Sequence, residues 1–178
     1  MDGTAYLDEC RHNFRTYRDL ADRAIAQVPP AKWFAEPAPG SNSLAVVMKH
    51  VGGNLRSRWT DFLTTDGEKP DRRRDGEFES GGDGESSIRE IWSRGWDALF
   101  GTIDALRESD LARAVRIRGE SMTVVQAMQR SIAHTASHVG QIVYVAKLRA
   151  ADAWNTLSIP RGRSEEFNRA PTPYVTKP

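Results

Sequence analysis

The chain has one cysteine, Cys10, in 178 residues, so no intramolecular disulfide can staple it. Charge of one sign is also lacking. Twenty-five basic and 24 acidic side chains leave a net +1, which excludes the one-sided field of a general nucleic-acid binder and points to small molecules or other proteins as partners. Apolar stretches such as Ile142 to Ala146 fall far short of the ~20 residues of a membrane span, so no membrane association is expected. The opening residues Met1 to Cys10 have no basic region followed by an apolar one, and the expected location is the cytoplasm. Histidine is scarce: His12, His50, His134 and His138 are the whole supply.

What is present is helical periodicity. Leu7, Cys10, Phe14, Tyr17, Ala21, Ala24 and Val28 recur at steps of three and four, the seam of a helix running from about Thr4 to Gln27 and stopped by Pro29 and Pro30. His12 falls away from that seam and reads as a surface residue. Pro29 to Gly40 is a proline-rich loop with Trp33-Phe34 as an aromatic plug. Ser41 to Ser43 offer N-caps for a second helix, with a stripe of Leu44, Val47, Met48, Val51, Leu55, Trp59 and Phe62, ending near Thr65. A third helix is expected from the Ser87–Glu90 capping-box pattern to about Glu108, with Trp92 and Trp96 in its core face. Ala114 to Glu120 alternates like a brief extended piece. A fourth helix runs from about Met122 to Ala151, and its apolar girdle is too wide for one neighbour, so it needs two bundle partners or one partner and a second subunit. Residues from Trp154 onward carry four prolines and should run extended or disordered. Four amphipathic segments with almost no strand signal imply an all-α four-helix bundle.

Polar groups crowd the core side of the second helix. On a wheel of ~100° per residue, Arg58, Asn54, Asp61 and His50 border or enter the stripe centred on Val51. Arg58 and Asp61 are i,i+3 neighbours and could pair with each other. His50 and Asn54 have no such local partner and look like the lining of a cavity. From Asp66 to Gly84 the chain is polar, with Asp-Gly-Glu recurring at Asp66, Asp75 and Asp83. These triplets read as turns rather than calcium ligands, and Arg72 to Arg74 as solvated or ion-paired, with a role in substrate binding left open.

His134 and His138 are four residues apart on the fourth helix, so both rings can aim at one spot. Joined by His50 from a facing helix, they would form a mononuclear three-imidazole site with room for water or substrate, as in catalytic zinc centres. Imidazole also suits nickel, iron or copper. Asn54, one turn from His50, could orient substrate. Arg58, ~12 Å along the axis, suits an anionic tail. Gln141 is a further residue that could support His138. No carboxylate is placed as a general base.

The segment N-S-L-A-V-V-M-K-H-V-G-G-N-L, together with H-T-A-S-H-V-G-Q-I, resembles the DinB/YfiT-like superfamily, and Asp66 to Phe78 resembles a subgroup of it catalogued as a domain of unknown function. The resemblance covers about residues 1 to 165, leaving 166 to 178 as a tail. It implies a left-handed bundle of up-down-down-up order, frequently a homodimer, with a divalent metal on His50, His134 and His138. Zinc or nickel would come first, with iron or manganese behind them. Relatives include transferases and isomerases that use low-molecular-weight thiols such as bacillithiol, mycothiol or glutathione. Many members carry histidine or arginine directly after the last ligand, where this chain has Val139. The expected function is therefore that of a metal-dependent enzyme acting on a small molecule, a thiol transferase first. A metal-dependent hydrolase and a non-catalytic metal-binding dimeric module are the alternatives.

Overall fold

The helical seams read from the sequence assemble around one core in the computed structural model, which describes residues 2–79 and 81–171. Helix α1 spans Gly3–Ile25 and buries Leu7, Cys10, Phe14, Ala21 and Ala24, with Asp2 accepting from the Thr4 amide as N-cap. Helix α2 is Leu44–Trp59, α3 is Glu85–Ile103 and α4 is Val124–Ala150. A two-stranded antiparallel hairpin, β1 (Ala114–Ile117) and β2 (Glu120–Thr123), sits between α3 and α4. Its two-residue turn is Arg118-Gly119, both at positive φ (57° and 79°), the pairing that matches strand twist. Helix α2 lies along α3, α1 lies along α4, and α2 also touches α4. No helix among the described residues is long and apolar enough to cross a membrane.

Several boundaries differ from expectation for local reasons. Helix α2 stops at Trp59 rather than near Thr65, because Asp61 turns to φ 47° and its carbonyl collects the Thr64 and Thr65 amides. Phe62 still reaches the core by stacking on Trp59, with ring centroids 4.9 Å apart. The predicted Ser87–Glu90 box is not used. Helix α3 starts two residues earlier behind Gly84, while the Ser87 hydroxyl donates to Asp83. Helix α4 instead carries a complete box, Thr123 with Gln126, and ends at Ala150. In place of extended chain, Ser164–Arg169 forms a short helix, α5. Glu165 and Glu166 sit at its electropositive first turn and reach Arg169 and Arg163. The rest of the expected tail, residues 172–178, lies outside the described residues.

Of the predicted plug, Trp33 is buried and donates its indole N–H to the Val28 carbonyl, whereas Phe34 is exposed. Cys10 is buried, and burial pushes its thiol pKa up, the signature of a core residue rather than a reactive one. Helices α2 and α3 meet at glycines. A Cβ on Gly52 would strike the Ile91 carbonyl of α3, and one on Gly95 would strike the backbone of Gly52. Helices α2 and α3 are thus in backbone contact at a point half a turn from His50.

Gly101 lies on the same helix as Gly95 but faces open space. The two should respond oppositely to the same change. Gly95→Ala is expected to lower the free energy of unfolding by about 2 kcal/mol through overpacking, whereas Gly101→Ala should leave it unchanged or raise it by up to about 1 kcal/mol through the lost freedom of the unfolded chain. Urea denaturation of the two variants checks this.

Candidate metal centre

Helix α2 presents His50 and Asn54 on successive turns, and α4 presents His134 and His138 on successive turns. One ring nitrogen from each of the three histidines lies within 4.8 Å of the other two. His50 Nε2 is 3.2 Å from His134 Nε2, and the His134 and His138 ring centroids are 4.5 Å apart. His12 stands apart, beside Thr16 on α1. The sequence-predicted trio is therefore brought together.

Two of the rings are fixed from behind. His50 Nδ1 donates to Glu77 Oε2 at 2.9 Å, and His138 Nδ1 donates to Gln141 Oε1 at 3.0 Å. An acceptor at Nδ1 puts the proton there and leaves Nε2 with a lone pair for the cluster. Gln141 thus touches the ring it was expected to support. Glu77 was not expected at all, since its Asp-Gly-Glu triplet read as a turn. It does lie in a single helical turn, Asp75–Phe78, yet its carboxylate is buried and also takes two hydrogen bonds from Arg72, each 2.8 Å. The Arg72 side chain is only 4 % exposed, and it lies 3.6 Å from Glu68 as well. So Arg72 is an ion-paired strut, while Arg73 stays exposed.

Room for this arrangement comes from Gly53, where a Cβ would collide with Glu77 Oε1. Consecutive glycines inside a helix cost about 1 kcal/mol each against alanine, so the Gly52-Gly53 pair was the available signal that something presses on α2 from two sides.

Burial alone would raise the pKa of the Glu77 carboxyl, but the hydrogen bonds from His50 and Arg72 outweigh it and hold the group below the usual range. His134 is pushed down to about 3, by burial first and then by the neighbouring His138 and His50 and by Arg72 and Arg58. Burial also lowers His138, against the pull of Gln141. These two rings are held neutral, the form that offers a lone pair to a cation.

The trio forms one end of a cavity of about 540 Å³, lined also by Asn54, Trp59, Phe62 and Phe78, a volume suited to a small molecule. Phe78 packs on His50 with centroids 4.7 Å apart, and the Trp59 indole N–H donates to Ser131 on α4. Asn54 lines the cavity and has no hydrogen-bond partner among the described residues. Arg58 also lines it, but its suggested partner Asp61 is not used, because the turn after Trp59 carries Asp61 away. Arg58 donates instead to the Gly67 carbonyl and to Glu68 Oε2, the latter at 2.9 Å. Burial pulls the Arg58 guanidinium below its ordinary value while Glu68 opposes that shift.

Fold and site together define a mostly helical protein whose three-histidine cluster could hold a metal ion. The chain belongs to the family described as "Protein of unknown function (DUF1572)", which matches residues 2–163. No curated protein matches it.

Two outcomes follow from this geometry. Glu77→Gln keeps the shape but weakens the acceptor behind His50, and should lower metal affinity by roughly 10- to 100-fold, read by competition with a chromophoric chelator. The metal-free protein should also be acid-sensitive. With His134 at about 3 in the folded chain and at about 6.5 in the unfolded one, the unfolded state takes up a proton that the folded state refuses. Its stabilising contribution is complete above about pH 6.5 and is lost progressively as pH falls toward 3. The urea midpoint should already fall between pH 6.5 and 5, above the carboxylate range, and His134→Gln should flatten that part of the profile.

Proposed function

We propose that this protein is a metal-dependent enzyme of the DinB-like type, an up-down-down-up four-helix bundle in which His50, His134 and His138 bind a divalent ion and a low-molecular-weight thiol is the co-substrate. The observation that carries this reading is the convergence of three imidazoles from two helices at the end of an open cavity. Three neutral nitrogen donors suit zinc or nickel best, and iron or manganese next. When bound, such an ion supplies Lewis acidity that lowers the pKa of a thiol or water.

The chain's own residues do the rest. Glu77 and Gln141 hold His50 and His138 in the tautomer that faces the cluster. Trp59, Phe62 and Phe78 supply the apolar part of the cavity wall. Asn54, only 8 % exposed and one turn from His50, offers an amide to a guest. A thiol is favoured over water as nucleophile by one feature. The cavity has no aspartate or glutamate among its lining residues, and the nearest carboxylate, Glu77, is occupied by His50 and Arg72. A free thiol has a pKa of about 8.5 and water one of about 15.7, so with no carboxylate to take the proton the thiol reaches its nucleophilic form more readily. The cavity beside the histidines likewise supports turnover over a purely structural metal module. A homodimer through α4 is part of the reading, supported by the exposed apolar pair Tyr144 and Leu148 (67 % and 51 %) beside Gly140.

Tag-free protein should bind one divalent ion per chain, and should bind small thiols only when that ion is present. Metal analysis and calorimetry of wild type and His50→Ala provide the check. Stoichiometric metal retained at unchanged affinity by His50→Ala would sink the three-histidine centre, and thiol binding that ignores the metal would sink the transferase.

A further inference from the structure

We infer, on the basis of the metal-centre reading above, that the cavity's guest carries an anionic group, a carboxylate or phosphate, and that Arg130 is the residue that recognises it. Five arginines line the cavity, Arg58, Arg72, Arg74, Arg118 and Arg130, and no acidic residue lines it. Three of them are held from behind by carboxylates outside the lining. Arg72 is held by Glu77, and Arg58 and Arg118 both by Glu68, each at 2.8 or 2.9 Å. Two carboxylates thus serve three guanidinium groups. Arg74 lies over the Phe78 ring at 5.1 Å, with only the exposed Asp75 nearby at 3.7 Å. Arg130 is exposed and has neither an ion pair nor a hydrogen bond among the described residues. The ligand set adds no compensation, because three neutral imidazoles leave the charge of any bound cation in place. A cavity with this much uncompensated positive charge is complementary to an anion.

The placement of Arg130 decides its role. It is one turn before His134 on α4, and helix side chains lean toward the N-terminus, so it reaches away from the histidines. Ser131, the next residue, is bonded to Trp59 at the far end of α2, and Trp59, Phe62 and Ile117 give the intervening wall an apolar face. The order along the α4 side of the cavity is therefore histidines, apolar wall, Arg130, with Arg72 and Arg74 nearer the histidines. A matching guest has a metal-binding head, an apolar body and an anionic end.

The test uses zinc-loaded protein and three probes of one length: 6-mercaptohexanol, 6-mercaptohexanoate and 6-mercaptohexyl phosphate. Their anionic ends lie too far from the sulfur to chelate the same ion. Calorimetry should show at least one anionic probe binding about tenfold or more tighter than the alcohol, the size of one charge-assisted contact. Arg130→Gln should reduce that preference to about threefold or less while zinc affinity and binding of the alcohol persist. Arg94→Gln, on the exposed face of α3 and paired with Glu90, should keep the full preference. Equal binding of all three probes by wild type, or a preference that survives Arg130→Gln, overturns the role of Arg130 and leaves the metal centre standing. Failure of every probe to bind with zinc in place overturns the thiol reading and this one together.

Discussion

The site depends on a buried carboxylate. Glu77 has been removed from water, a step that costs several kcal/mol unless its lone pairs are satisfied. Arg72 and His50 satisfy them, and the same bonds fix the position of everything nearby. His50 cannot rotate without abandoning a buried anion, and Arg72 cannot leave without exposing the loop's attachment to α2. The segment from Asp66 to Glu79 is thus tied down at both ends. Asp66 accepts the Glu68, Arg118 and Gly119 amides at the hairpin turn, and Glu77 closes the other end on α2. A polar stretch thus contributes Arg72, Arg74 and Phe78 to the wall of the histidine cavity.

That wall can dock only because α2 is thin where it lands. Gly52 and Gly53 point roughly 100° apart on the helix, one toward α3 and the other toward Glu77. The two contacts fix α2 from both sides within a turn of His50, so the ring's position relative to α4 is set by backbone packing rather than by side-chain choice. Preorganisation of this kind holds three imidazole nitrogens within 4.8 Å of one another.

Much of the frame was legible in the sequence because it rests on periodicity. The α1 seam from Leu7 to Val28 is buried except at Tyr17, which is half-buried against the core, and Trp92 and Trp96 are core. The histidine trio was legible for the same reason, since each member sits on a helix whose faces could be drawn. Glu77 was not, because its partners are 5 and 27 residues away across a loop with no repeat. Arg58 was read toward Asp61 on the assumption that α2 continued, and a single positive φ at Asp61 redirected it to Glu68. Periodicity shows which face a residue occupies, but it carries no information on where a loop will land.

The hydrogen bonds around the three rings also set which nitrogens face the cluster. His50 Nδ1 faces Glu77 and His138 Nδ1 faces Gln141, so each of these rings turns its Nε2 toward the cluster. His134 has no such partner behind it, and its Nε2 lies 3.2 Å from His50 Nε2. The three rings are therefore not held alike. Two are oriented by a carboxylate and an amide at their backs, and the position of the third follows from α4 and from the two rings beside it.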